Sequence, residues 1–496
     1  MNLTTPFLLF GTDTSLAMTL VLPLLAGLII PFARRHPNLR ESISITTSLL
    51  LLTSCLTLYL KFQQGDSPKW HLLEILPGLT ISFEIEPLGL LFAIMSSFLW
   101  LLTSVYSIGY MRQHREKHQT RFYQFFALTM ATVMGIAFSS NLFTLYVFYE
   151  LLTLSTYPLV VHKGDKSARQ GGRVYLAFLL SSSVLFLLFA MLQTYLLSGS
   201  LDFVPGGILN SELASPLTLA ILLVLFMFGI GKGALFPLHF WLPAAMVAPT
   251  PVSALLHAVA VVKGGVFTIL KVSVYLFGID LLPTLPSTQA LIYMTGFSIL
   301  FASLMAMRQD NLKKRLAYST VSQLGYISLG ALLANGLGLI GSAMHMAIHG
   351  VGKITLFFCA GAILIATGKT KISEMAGLGR TMPITMAAFF IASLSVVGLP
   401  PTAGIWSKWY LMRATLETEQ WLMLGLLALS SLLNLFYLVS IPLKSYFINA
   451  SSRQHPSSHR DEITEAPWPM LVAIVASASA CLLLFFFPQP LYDLAV

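Results

Sequence analysis

The sequence predicts an all-α polytopic membrane protein of about fourteen helices in one membrane domain, residues 1–496. Composition comes first: 56% of the residues are hydrophobic and 10% charged, with a mean hydropathy of +0.78, far outside the soluble range. Length comes second. A helix needs about 20 apolar residues to cross the hydrocarbon core, and such stretches recur near 8–31, 41–60, 88–110, 122–140, 142–161, 174–197, 217–236, 253–276, 289–307, 316–334, 337–367, 381–411, 421–443 and 468–488. Third, of 29 Lys and Arg all but five fall in the short connections between these stretches.

The elements follow in order. The first stretch is long, contains Asp13 and lacks a basic segment before it, which predicts a retained span and not a cleaved signal. Residues 1–121 then hold three spans, and Gly65, Pro68, Pro77, Gly78 and Pro87 predict a hairpin in the 62–87 connection on the outer face. Residues 122–276 and 289–443 hold five spans each, and 468–496 the last span and C-terminus. The stretches 337–367 and 381–411 are long enough to be tilted or broken. The polar 444–467 connection reads as a loose cytoplasmic loop, and few residues follow the last span, so no long C-terminal arm is expected.

Charge sets the predicted orientation. Runs such as Arg34/Arg35/Arg40, Arg112/Arg115/Lys117/Arg121 and Lys313/Lys314/Arg315 fall on one set of alternate connections, while the other set carries Lys61, Lys69 and Arg413. The positive-inside rule places the first set in the cytoplasm and both termini outside, in a bacterial inner membrane. The net charge of +9 is mostly this asymmetry, with room for anionic-lipid contact, and is no nucleic-acid signal. Cys55, Cys359 and Cys481 are isolated in apolar surroundings, so neither a metal nor a disulfide is expected from them.

Six charged residues stand deep in the apolar stretches: Glu150, Lys232, Lys263, Lys271, Lys353 and Lys408. A charge at the bilayer centre costs roughly 2.5–3.5 kcal/mol even on the lenient insertion scale, so the default reading is an ion or proton path. Two of them sit in matching contexts: FGIGKGALFPLHFWLP and VGLPPTAGIWSKWYL each combine glycine, proline and an embedded lysine. The two lie five spans apart, as two inverted five-helix repeats require, and interrupted spans in matching positions point to a transport site. The plainer reading is that Gly and Pro are common in membrane helices.

Three runs carry a resemblance. FPLHFWLPAAMVAPTPVSALLHAVAVVKGG (236–265), LAYSTVSQLGYISLG (316–330) and HMAIHGVGKITLFFCAGAI (345–363) resemble signatures of the proton-translocating antiporter-like subunits. Those subunits are shared by respiratory complex I, Mrp-type cation/proton antiporters and membrane-bound hydrogenases, and the resemblance extends from about residue 85 to 410. It implies fourteen helices, with inverted repeats over spans 4–8 and 9–13 and with spans 7 and 12 discontinuous. It also implies that Glu150 corresponds to the family's span-5 glutamate, Lys232 to its span-7 lysine, Lys263 to its span-8 lysine and Lys408 to the span-12 position. Lysine at 408, the length and the missing C-terminal arm resemble the D subunit of Mrp antiporters.

A proton relay needs groups that gain and lose protons near neutrality. Desolvation disfavours a buried ammonium and a nearby carboxylate restores it, so Glu150 beside Lys232 would make a two-state device; the plainer reading is a fixed ion pair bracing two helices. His345, His349 and Lys353 share one helix stripe at i, i+4 and i+8, which could bridge Lys263 to Lys408. That stripe is too poor in ligands for a metal. His257 either joins the relay or hydrogen-bonds a neighbouring helix. Lys271, nearer a span end, is expected to snorkel to water. Lys313, Lys314 and Arg315 read as topology determinants. Pro237, Pro249, Pro251, Pro400 and Pro401 are expected to break helices and expose backbone groups to a hydrated cavity, or simply to end helices.

The functional expectation is a proton-translocating subunit of a multisubunit Mrp-type Na+/H+ antiporter, without a cofactor, catalytic centre or redox centre of its own. Its partners would be other membrane subunits, protons, lipids, and Na+ only through those subunits. The rivals are an antiporter-like subunit of a redox-driven complex, a structural subunit without transport, and a subunit of another proton-coupled uptake system.

Overall fold

In the computed structural model, residues 12–76, 78–448 and 463–496 are described. Among them nine helices are long and apolar enough to cross a membrane. The chain runs α1 (Thr12–Ile29), α2 (Pro37–Phe62), α3 (Pro87–Gln113), α4 (Gln119–Ala137), α5 (Leu142–Val160), α6 (Lys166–Ser198) and α7 (Pro216–Gly229). It continues α8 (Thr250–Phe277), α9 (Pro286–Arg308), α10 (Leu312–Leu332), α11 (Gly336–Thr367), α12 (Pro383–Val397), α13 (Gly404–Glu417), α14 (Trp421–Phe447) and α15 (Trp468–Phe486). The fold class is therefore an all-α polytopic membrane protein. The predicted loop at 444–467 and the side chain of Asp13 lie mostly or wholly outside the described residues.

Local chemistry explains where the helices start and stop. Asn141, Asp165, Asn311 and Asn335 each accept a hydrogen bond from the backbone N–H three residues on, capping α5, α6, α10 and α11. Gly199, Gly368 and Gly398 end α6, α11 and α12 in the left-handed conformation that only glycine adopts without strain. The 337–367 stretch, expected to be tilted or broken, is one uninterrupted helix of 32 residues. The 381–411 stretch is broken after Val397.

The expected hairpin is present: β1 (Lys69–Leu76) pairs antiparallel with β2 (Leu79–Glu84), and Lys69 faces Glu84 across the ladder at 2.9 Å. Asn141 and Ser140 bind its Thr80 and Ser82, and the Leu142 N–H donates to Leu201. Further round the same face, Ile208 and Leu209 donate to Leu276, and Asn335 donates to Glu417. The other face is stitched separately. Arg121 reaches the His162 carbonyl, Lys313 the Ala248 carbonyl at 2.5 Å, and Leu312 pairs with Thr370. Alternate connections thus gather on opposite ends, one marked by the hairpin and one by basic residues.

Two basic runs do more than mark that end. Arg40, expected in a solvated connection, is buried inside α2 together with Glu41. Glu41 is paired to Arg112 of α3, whose Nε donates at 3.1 Å, and Arg40 donates to Gln119 at 2.8 Å and to Thr120 of α4. Glu41 therefore ties α2 to α3, and Arg40 beside it ties α2 to α4. Removing one partner of such a pair strands a buried charge, so Glu41→Gln is expected to lower stability by about 3 kcal/mol. Thermal unfolding in detergent would read this as a clear fall in midpoint, whereas Glu374→Gln, exposed at the same end, leaves the midpoint unchanged.

Candidate functional site

Two helix breaks place the deepest charges. After α7 stops at Gly229, the backbone makes a short turn over Gly231–Gly233, and Ala234 is left-handed at φ 51°. Cis-Pro237 and a series of short turns follow before α8 begins. The break is packed backbone to backbone: a Cβ on Gly265 of α8 would lie 2.4 Å from the Lys232 carbonyl carbon. Only glycine fits that crossing. The Gly231 carbonyl, which accepts from the Ala234 N–H at 3.1 Å, also accepts from the Trp241 indole N–H at 3.1 Å.

Lys232 is fully buried in this break. Its ammonium donates to the Tyr149 carbonyl at 2.8 Å and stands 3.2 Å from the centre of the Tyr149 ring, while its own N–H donates to the Tyr149 hydroxyl at 3.1 Å. Glu150 is the next residue on α5. Its half-buried carboxylate has one buried oxygen with no partner, and no ion pair joins it to Lys232 among the described residues. Tyr149, and not Glu150, therefore holds the lysine.

The second break lies between α12 and α13. Cis-Pro401 follows Pro400, and Gly404 packs so closely that a Cβ would sit 1.8 Å from the Ser395 carbonyl oxygen. Lys408 reaches back across the break to donate to the Val397 carbonyl at 2.9 Å and to Ser431 of α14 at 2.9 Å, with the Tyr326 ring 4.8 Å away. Val397 is the last residue of α12, so the lysine binds a carbonyl freed by the interruption. A cavity of about 280 Å³, lined by Gly398, Lys408, Trp409 and Ser431, opens beside it.

Between the breaks runs a row of buried polar groups. Lys263 of α8 is 2.7 Å from His349 Nδ1 of α11. The His349 and His345 rings stack at 5.7 Å, and His345 meets Ser407 at 2.9 Å and Gln323 at 3.1 Å. Lys353 donates to Ser319 at 2.6 Å. The predicted stripe of α11 thus does face Lys263 and the Lys408 break. His257 is buried against Phe357, and neither ring nitrogen has a protein partner among the described residues, so of its two alternatives the bond to a neighbouring helix is not made. Pro237, Pro400 and Pro401 lie within the breaks, whereas Pro249 and Pro251 open α8 and mark a helix start.

Lys271 corrects the expectation of snorkelling. It is buried, ion-paired to Glu86 at the start of α3, and faced by the Phe203 and Tyr275 rings at 4.0 and 4.5 Å. The carboxylate and the two rings cap the span end, so the side chain is shielded from solvent. Sequence reasoning also missed Tyr149, Gln323, Tyr326, Ser407 and Ser319 as partners. Tyr149 could have been found as the neighbour of a deep glutamate; the others are ordinary polar residues until the helices are packed.

The comparisons agree with this architecture. The family described as "NADH:quinone oxidoreductase/Mrp antiporter, TM" matches residues 139–434, and "NADH-Ubiquinone oxidoreductase (complex I), chain 5 N-terminus" matches 77–123. NADH-quinone oxidoreductase subunit N of Desulforudis audaxviator (strain MP104C) is 32% identical, over 94% of this chain and 93% of its own length. The D subunit of the Na(+)/H(+) antiporter of Alkalihalophilus pseudofirmus is 27% identical, over 96% of this chain and 94% of its own. The A subunit of that antiporter is 30% identical over 96% of this chain, which spans only 61% of it. Two solved structures share the fold at a TM-score of 0.85. An archaeal membrane-bound sulfane sulfur reductase chain is 22% identical, and a chain of the Mrp complex from Dietzia sp. DQ12-45-1b is 21% identical. Each comparison covers 98% of this chain and 96% of the other.

The close packing at the second break has a measurable consequence. Gly404→Ala forces a backbone shift at the α12–α13 crossing, an overpacking cost of about 2 kcal/mol. The unfolding midpoint should fall, while Gly425→Ala, which meets nothing within 4 Å, leaves it equal or slightly higher.

Proposed function

The chain belongs to the family of antiporter-like membrane subunits shared by NADH:quinone oxidoreductases and Mrp antiporters, and from that premise we propose that it is the proton-translocating member of an Mrp-type Na+/H+ antiporter, in the place of the D subunit. The observation that carries the proposal is the buried row itself. Lys232, Lys263, His349, His345 and Lys408 lie in one membrane interior with short contacts at Lys263–His349 and His345–Ser407. Glu150 stands at one end and the cavity beside Lys408 at the other.

Protons enter from the basic, cytoplasmic end, pass Lys232, Lys263 and the histidines, and leave at Lys408, or run in reverse. Glu150 biases the first step: approach to Lys232 retains its proton, and separation releases it. Lys353 and His257 flank the route. Each charge moved across 100 mV is worth about 2.3 kcal/mol, so uphill flow needs coupling to a partner reaction. Na+ moves through partner subunits, since clustered oxygen ligands are what a sodium site requires. The fold is read as fourteen spans with inverted repeats over spans 4–8 and 9–13, the two breaks standing in spans 7 and 12, in a bacterial inner membrane with both termini outside.

A second reading is a proton-pumping subunit of a redox-driven complex, favoured by the 32% identity to a quinone oxidoreductase subunit over nearly the whole chain. One experiment separates them. In inverted vesicles carrying the intact complex, Na+-dependent proton movement without an electron donor, lost in Lys232→Ala at matched assembly, is the expected result. Flux that needs an electron donor moves the chain to the redox-driven reading, and unchanged flux in the variant removes Lys232 from the path.

A further inference from the structure

The row between the breaks does not account for a second set of buried polar groups, carried by α10. Arg315, Ser319, Ser322, Gln323 and Tyr326 fall at i, i+4, i+7, i+8 and i+11, one continuous face of that helix. The face runs from the basic end of the molecule to the lysine–histidine row. It is matched by a facing set on α14: Ser430, Ser431, Asn434 and Tyr437.

The two sets are hydrogen-bonded along their length. At the basic end, the half-buried Arg315 guanidinium donates to the Tyr437 carbonyl at 3.1 Å. One turn deeper the Tyr437 hydroxyl bonds both Ser319, at 3.1 Å, and the Asn434 side-chain carbonyl, and Ser319 in turn accepts from Lys353 at 2.6 Å. Ser322, Ser430 and Ser303 of α9 form a closed triad at 2.9, 3.0 and 3.2 Å. Deeper still, Gln323 meets His345, and Tyr326 meets Ser431, which accepts from Lys408. Two donors on this face, Asn434 Nδ2 and Gln323 Nε2, are buried without a protein partner. Orphaned donors of that kind are satisfied by water. Tyr437 also sits in a π-helical turn, Leu435–Val439, a distortion that concentrates at functional positions.

We propose that the α10–α14 face is a second proton branch, joining the basic end to Lys353 through Tyr437 and Ser319. The inference rests on the proposed proton-translocating function. The transfer is a shift along hydroxyls. A hydronium arriving from the basic end gives its proton to the Tyr437 hydroxyl oxygen as Tyr437 passes its own to Ser319. Ser319 passes its proton to the amine form of Lys353. One proton arrives on Lys353, both hydroxyls keep one proton each, and the donor is left as water. Neither residue carries a charge at rest, so both are positioning and conducting groups and not charge stores. The plainer account is helix glue, since hydroxyl pairs also hold membrane helices together.

The test uses the intact complex in vesicles with Ser319→Ala, Ser319→Thr, Tyr437→Phe and Lys232→Ala, reading proton flux, its solvent deuterium isotope effect and the unfolding midpoint. Expected are a flux loss of about a hundredfold, the lower end for a removed proton-transfer group, for Ser319→Ala and Tyr437→Phe, a changed isotope effect, and recovery in Ser319→Thr. Flux within about twofold of wild type in Tyr437→Phe, with Lys232→Ala inactive, overturns the branch and leaves the main row standing, because the lost group should cost about a hundredfold. A flux loss that follows the unfolding midpoint, with no change in isotope effect and no recovery in Ser319→Thr, assigns the face to helix glue. If Lys232→Ala is itself unaffected, the reading of the row fails and the branch falls with it. Tyr437→Phe keeps the ring and decides the matter should Ser319→Ala not assemble.

Discussion

Holding an ammonium group in an apolar interior is the constraint on which the rest of this structure depends. Each buried lysine meets it differently. Lys232 uses the carbonyl and ring of Tyr149, Lys263 a histidine, Lys353 a serine, and Lys408 a carbonyl freed by a broken helix. Of Lys232, Lys263, Lys271, Lys353 and Lys408, it is Lys271 that has a carboxylate within ion-pair distance among the described residues. The lysines of the central row are therefore held by dipoles and not by counter-charges. Dipoles stabilise an ammonium without binding it as firmly as a carboxylate would, which suits groups that exchange protons.

The helix breaks follow from the same constraint. An intact helix commits its carbonyls to its own N–H groups, leaving a buried lysine only a shared acceptor such as the Tyr149 carbonyl. Interrupting α12 at Val397 releases acceptors at the depth where Lys408 needs one. The glycines at 265 and 404 then let neighbouring backbone approach the opened segments, and Trp241 ties down a carbonyl at the first break. At the first break, residues 231–235 are buried in protein, the setting in which irregular backbone at membrane depth is tolerated.

The two ends of the molecule are built for different tasks. Hydrogen bonds between the hairpin, the Ser140–Asn141 turn and the 201–209 segment brace one end, and the Glu86–Lys271 pair closes it over α8. At the other end the Arg40–Glu41–Arg112 clamp holds α2 to α3 and α4, while Lys313 and Arg315 reach carbonyls of other elements. The basic runs are thus part of the scaffold as well as a record of insertion.

The sequence by itself determined the membrane class, the spacing of most helices, the family and the identity of the deep charges. Hydropathy, charge placement and motifs are local properties that survive without knowledge of packing. It located the lysines at both breaks and the stripe from His345 to Lys353. Only the tertiary structure decided which neutral group holds each lysine. Tyr149 holds Lys232, Glu86 removes Lys271 from water, and α10 and α14 align their hydroxyls. These outcomes hang on side chains from helices tens to hundreds of residues apart, whose polar atoms look unremarkable in sequence. A buried charge must find a partner, but the sequence does not say which one, because any carbonyl, ring or hydroxyl brought to about 3 Å can serve.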